Sequence, residues 1–436
     1  MNPMTSTTRH SKAWLQSLCL LICGFAFQST YATTEPPQSV GYQVAQDVLL
    51  VTVEKEQLAA LNDLAFSDYS LQAVSNNTLQ PVPYQFDERN IHGTVFVPGA
   101  GIPIVGVENI FDAQDQLVFM LHDAGQALSQ EQKSNTEANI VAEIEITHGN
   151  HTTYAYVVKG SDLRSPLNYA EFIEEKSLFK TDHWSMQASP DNLLEWTDFF
   201  YESAPANLTL LDVMKLRIVA KVFFTVTITN DNVVASIQGV KHGPVRDIVQ
   251  LKAKVTIAGI PFLDLDVGLE VTPHYLGIPA NAHIPLAAAA IKSPVIKISL
   301  DFANMPGAKS RSALGSKREA IADRKMDAHE KDISVDNENS WLAINSQKGF
   351  DMLAFIESTK GDGIELGAFY DDSKAINKPE RFPGSGPELG YTIDKLPAGD
   401  DINFRIDLIY TSGFWDNNNP EEFAKAMKDA PVIAVH

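Results

Sequence analysis

The residues with the richest chemistry lie between Gly239 and Val255, in GVKHGPVRDIVQLKAKV. Gly243-Pro244 makes a turn, His242 precedes it, and Arg246 with Asp247 stands at the start of an alternating run. VTPHYLGIP adds His274 and Tyr275 at the end of the next strand but one. Imidazoles move protons, and a guanidinium grips a carboxylate or stabilises an enolate. His242, Arg246 and His274 are therefore the catalytic candidates, with Asp247 and Tyr275 as ligand-binding neighbours. A uronate-directed lyase would use His242 or His274 as base and Arg246 as cation; an epimerase would need a similar base. The competing reading is an Arg246–Asp247 pair that secures a sheet edge.

Upstream, PYQFDERNIHG offers Asp87, Glu88 and Arg89. Either they end a strand in solvent while Tyr84 and Phe86 point inward, or they present carboxylates to a cleft, with Arg89 gripping a ligand. FDAQDQLVFMLHDAG places His122 and Asp123 at a strand exit. Strand neighbours point apart, so an intimate pair there requires a bend. His148 and His151 flank the turn in THGNHTTY with no third ligand nearby, which reads as exposed turn histidines and not as a metal site. FWDNNNPEE is dense in oxygen ligands but lacks calcium-loop spacing. The expectation is no metal site and no cofactor, with calcium left open.

The elements that must carry these side chains alternate with period two. In LKAKVTIAG, Leu251, Ala253, Val255 and Ile257 oppose Lys252, Lys254 and Thr256. After Gly259-Ile260-Pro261, LDLDVGLEV sets Leu263, Leu265, Val267 and Leu269 against Asp264, Asp266 and Glu270. The two runs predict a half-buried antiparallel hairpin with lysines facing aspartates across it. Similar runs at VAEIEITH, KVFFTVTIT, VIKISLDF and INFRIDLIY predict a mainly β chain, a large antiparallel β-sandwich with a few short peripheral helices. One helix is predicted at SKREAIADRKMDAHEKD, 316–332, from its capping box, and another at NPEEFAKAM, with Asn419 as cap and Pro420 first. The basic stretch 309–325 reads as a lid, a docking element or a plain loop.

The opening segment reads as a secretory signal peptide, residues 1–32, with Arg9 and Lys12 before an apolar run and Ala32 at a small-residue end. A flexible lead-in covers 33–40, and 41–436 reads as one large β-sandwich domain with a charged, partly helical insertion at about 303–340. Both cysteines, Cys19 and Cys23, fall in the leader. Export to the periplasm or beyond is expected, and no integral membrane segment is expected in the mature chain. The net charge of −21 argues against nucleic acid, as does the lack of a basic aromatic stripe. No Walker or Rossmann glycine pattern is present; GSGPELG is a proline-broken loop.

GPVRD entering a long strand, with VPYQFDE and DAQDQLVFMLHDAG upstream, resembles exported bacterial β-sandwich proteins of largely unknown function. Some of these are similar to the supersandwich sheets of galactose-mutarotase-like and polysaccharide-lyase-associated domains. The resemblance covers about a third of the chain and implies carbohydrate handling, without carrying over any catalytic residue. The expected protein binds or processes a saccharide or glycan fragment, with Tyr275, Trp341 or Trp415 stacking on sugar rings and Arg246 and Asp247 supplying hydrogen bonds. The alternatives are a non-catalytic cell-envelope protein that docks to a partner, or the lyase or epimerase above.

Overall fold

The alternating runs form strands that pair antiparallel throughout the sheets. The computed structural model describes residues 39–58, 61, 65–112, 114–205, 207–221, 224–360, 363–373, 386–417 and 420–436, without the side chains of 359, 360, 416 and 417. The leader and most of the lead-in lie outside the described residues, as does Asn419.

The largest sheet has nine strands. Across its centre run Asp247–Ile257, Ile260–Val271, Tyr275–Ile284, Asp400–Thr411 and Asp351–Lys360, each paired with the next. The predicted hairpin is there, with Lys252 opposite Asp266 and Lys254 opposite Asp264. One face of this sheet carries Leu251, Leu265, Leu276, Ile406 and Met352 into a core shared with a five-stranded sheet built around Leu211–Lys221 and Lys292–Phe302. That pairing of sheets is the sandwich, and burial of these apolar faces is its main driving force.

The opposite face is only partly covered. A second apolar core joins Tyr275, Leu353, Phe355 and Ile409 of the large sheet to the helices Val40–Val48 and Pro420–Lys428 and to the strand Leu50–Glu54. The same cover layer includes the three-stranded sheet in which Gln116–Met120 lies between Leu50–Glu54 and Gln85–Asp87. Among the described residues, no helix is long and apolar enough to cross a membrane.

Two local expectations change. The helix expected at 316–332 is not formed: the segment contains the short strand Ala320–Ile321 and a 3-10 turn at Glu330–Asp332. Its thin apolar face gives a helix nothing to bury, whereas Asp372 Oδ2 accepts hydrogen bonds from the backbone N–H groups of Asp323, Arg324 and Lys325. His148 is not an exposed turn residue. It sits opposite His151 in the hairpin but is buried, its Nε2 2.9 Å from the carbonyl of Ala426 in the C-terminal helix.

Candidate functional site

The two segments GPVRD and VPYQFD meet. Gln85 Oε1 accepts from the backbone N–H groups of Val245 (3.1 Å) and Arg246 (2.9 Å), and its Nε2 donates to Asp87 Oδ1 at 2.8 Å. Gly243 permits this approach: a Cβ there would lie 2.2 Å from Gln85 Oε1. The turn therefore docks on the end of a strand in the cover layer, and Asp87 reaches the large sheet.

Arg246 is enclosed by carboxylates. Its Nε and Nη2 donate to Asp87 Oδ2 at 2.9 and 2.6 Å, and its Nη1 donates to Glu270 Oε2 at 3.1 Å. Lys241 Nζ lies 2.9 Å from Asp87 Oδ1, and Arg405 Nη2 lies 3.0 Å from Glu270 Oε2. Arg405 also engages Asp407. Burial pushes the Asp87 carboxyl up, but Lys241 and Arg246 outweigh it and hold the group well below the usual carboxylate range. Glu270 is likewise raised by burial yet drawn down to about 2 by Arg405 and Arg246. Burial, and then the charge of Arg246, lowers the Arg89 guanidinium. Gly277 leaves space for this network, because a Cβ there would meet Arg405 Nη2 at 2.3 Å.

The structure thus brings Asp87, Arg246 and Glu270 together and sets Tyr275 and Arg89 within their electrostatic reach. The strand ends at Asp87 as read, but the carboxylate is buried and ion-paired where the sequence suggested a solvated end. His242 and Asp247 form a separate pair, Nδ1 to Oδ2 2.7 Å, and Asp247 Oδ2 also accepts from the Phe172 N–H. The expected Arg246–Asp247 edge pair is replaced by these two sets of partners. His274 is buried against His183, ring centroids 4.2 Å apart. Its imidazole is pushed down to about 3 by burial and by the neighbouring His183 and His122. His242, Arg246 and His274 thus have separate partners, Asp247, the Asp87–Glu270 pair and His183.

The expected aromatic platform is absent as drawn: Tyr275, Trp341 and Trp415 are all buried in the second core, and Trp415 Nε1 donates to Glu319 Oε1 at 3.0 Å. A wide apolar surface beneath the cover layer claims the rings.

Beyond the cover layer the same sheet face opens into a polar cleft of about 250 Å³. Register sets its floor in rows. One runs Lys252, Asp266, Asn281, Asn403, and the next runs Lys254, Asp264, His283, Asp401. Lys252 Nζ is 3.6 Å from Asp266, and His283 Nδ1 is 2.8 Å from Asp401. The amides of Asn281 and Asn403 lie side by side, half-buried, without a side-chain hydrogen-bond partner among the described residues. Sequence reasoning found the Lys and Asp faces of the hairpin, yet it missed this floor because Asn403 and Asp401 come from a strand more than a hundred residues away.

A second polar group lies at His122–Asp123. The 3-10 turn Leu121–Asp123 supplies the bend that the pair requires, and His122 Nε2 comes 3.8 Å from Asp123 Oδ1. The Tyr169 hydroxyl donates to the same oxygen at 2.8 Å, beside a cleft of about 340 Å³. This unit can hold a proton, with Asp123 raised by burial.

No family model and no curated protein matches the chain. Solved structures to which it is similar include an α-mannosidase from Enterococcus faecalis V583, at 11% identity and a TM-score of 0.48, covering 90% of this chain and 44% of that one. They also include galactose 1-epimerase from Lactobacillus acidophilus NCFM, at 8% identity and a TM-score of 0.33, covering 63% of this chain and 99% of that one. A third is an α-N-acetylgalactosaminidase from Bifidobacterium bifidum in its GalNAc complex, at 10% identity and a TM-score of 0.33, covering 54% and 36%. The chain spans less than half the length of the mannosidase. None of these likenesses assigns a role to a residue of this chain.

Proposed function

We propose that this is an exported saccharide-binding protein whose site is the open polar end of the nine-stranded sheet. The observation that carries the reading is the registered pair Asn281 and Asn403, set between the Lys252–Asp266 and His283–Asp401 pairs on the floor of the cleft. Sugars present adjacent hydroxyls that donate and accept together, and amides flanked by carboxylates and an amine match that pattern. The floor holds two lysines against three aspartates, and this acidic excess disfavours a uronate relative to a neutral sugar. Export is supported by the leader pattern ending at Ala32.

Binding is favoured over lyase chemistry because Arg246, the cation such chemistry would need, already serves Asp87 and Glu270.

The test is calorimetric titration of the mature protein with neutral mono- and oligosaccharides, and with uronates. A neutral saccharide should bind, and the double variant Asn281→Ala, Asn403→Ala should weaken it about tenfold or more, each amide contributing roughly 1 kcal/mol. Undetectable binding at millimolar sugar, or affinity unchanged in the double variant, would sink the proposal.

A further inference from the structure

Between the two sheets of the sandwich the core is not filled. A cavity of about 90 Å³ lies where Leu216 and Ile298, paired across the five-stranded sheet, face Ile278 and Phe404 of the nine-stranded sheet. These four side chains belong to the main core yet are only half-buried, because they border empty space. Protein interiors pack like organic crystals and hold few voids larger than a water molecule, so a gap of this size is a specific feature of this core. Two alanines open it. Ala280 is paired with Phe404 and Ala354 with Leu408, where neighbouring inward positions carry Ile278, Ile406 and Met352.

The wall offers a guest no hydrogen bond. Among the described residues each polar side chain that lines it is engaged elsewhere: Trp196 Nε1 donates to the Leu193 carbonyl at 3.0 Å, the Tyr391 hydroxyl to the Ser340 carbonyl at 2.8 Å, and the Ser299 hydroxyl to Glu388 Oε1 at 2.6 Å. A buried water needs about two to four polar partners, so the cavity stays dry. A carboxylate or an ammonium would be stripped of water there with nothing to replace it. The cavity therefore selects an uncharged molecule. Its size selects further: a dry cavity of about 150 Å³ admits benzene, and this one is smaller, so a slim chain fits better than a flat ring. Met214 and Met352 also line it, and their unbranched, flexible side chains adjust to a guest.

We propose that this cavity is a binding site for a small neutral aliphatic molecule, an unbranched hydrocarbon of about four to six carbons. The site is distinct from the saccharide cleft and does not depend on it. Ala280 and Phe404 are the chain neighbours of Asn281 and Asn403, and alternation along a strand sends the first pair inward and the second outward. The sheet is thus a partition with a polar site on one face and a dry one on the other.

The test labels the methionine methyl groups with ¹³C and adds n-pentane, pentanoate or benzene to the purified protein. The resonances of Met214 and Met352, assigned from Met214→Leu and Met352→Leu, should shift with n-pentane, less with benzene, and not with pentanoate. Near saturation n-pentane should also raise Tm by a few degrees. Ala280→Val narrows the cavity and should abolish the n-pentane response. Leu216→Ala widens it and should bind benzene more tightly than the parent does, which keeps the test decisive if Ala280→Val does not fold. The proposal is overturned by methyl resonances that n-pentane leaves unmoved, by an equal response to pentanoate, by a response that folded Ala280→Val retains in full, or by a Leu216→Ala variant that binds benzene no better than the parent.

Discussion

Replacing Arg246 by methionine keeps most of the volume of the side chain and deletes its charge. Three hydrogen bonds vanish, two to Asp87 and one to Glu270, and both carboxylates are buried. Removing one partner of a buried ion pair costs about 3–5 kcal/mol, mostly because the other charge is left uncompensated. Here Lys241 stays on Asp87 and Arg405 stays on Glu270, so the loss belongs at the lower end, about 3 kcal/mol. Adding Asp87→Asn to Arg246→Met removes a carboxylate that has already lost its bidentate partner, so the double variant should be less unstable than the sum of the two single variants. The sign of the pH dependence follows from the carboxylates. Both are depressed in the folded state, so their contribution is full above their unfolded pKa values, about 4, and fades as pH falls towards 2. Urea unfolding at pH 7 and at pH 3.5, followed by tryptophan fluorescence, measures all of this; the penalty of Arg246→Met should shrink at the lower pH. Because Arg246 lies away from the open cleft, saccharide affinity of the folded variant should not change. A loss under 1 kcal/mol, or a double variant as unstable as the sum of the singles, would refute the account of Arg246 as a buried tie.

His274 makes a second pH dependence. Its folded pKa of about 3 lies below the unfolded value near 6.5, so the unfolded chain takes up the proton first and stability falls as pH drops from 6.5. By linkage the loss is about 2 kcal/mol between pH 7.5 and 5, and His274→Gln should abolish that slope; an unchanged slope in the variant would show that other groups cause it. Expression of the full chain in a Gram-negative host should yield a periplasmic protein whose N-terminal sequence begins at Thr33, and a chain retained in the cytosol with Met1 intact would remove the export proposal.

Local patterns in the chain were legible where an element's two faces differ in polarity. The hairpin Asp247–Ile257 with Ile260–Val271 follows from alternation, and Pro420–Lys428 follows from its proline and early glutamates. The helix Val40–Val48 is poorly signalled although Gly41, Ala45 and Val48 recur at helical spacing, because small residues and a following strand blur the period. At 316–332 the error runs the other way: a capping signature was present, but the local preference loses to backbone contacts with Asp372, some fifty residues downstream. The candidate site divides similarly. The types Asp87, Arg246 and Tyr275 were visible, whereas the Asp87–Arg246 contact spans 159 positions and the Asn281–Asn403 pair depends on strand order. Strand order across a large sheet is set by the packing of both faces, which no short stretch encodes.

The outer face of the nine-stranded sheet explains why charge is concentrated where it is. Rows near Tyr275, Leu353 and Ile409 lie under the cover layer and are apolar; rows at Asp264 and Lys254 face solvent. Between them the sheet passes from dry to wet within a few residues, and Glu270, Arg405 and Asp407 fall on that border. A border row cannot be wholly apolar without exposing a greasy rim, nor can it carry lone charges beneath a lid without a desolvation cost. Closing each charge with a partner, one of them Asp87 from the cover itself, meets both demands. The network therefore has its reason in the architecture, which leaves the unpaired amides beyond the border as the groups with bonding capacity to offer a ligand. That ordering also separates the two roles experimentally: substitutions in the border should alter stability with affinity intact, and substitutions at Asn281 and Asn403 should alter affinity with stability nearly intact.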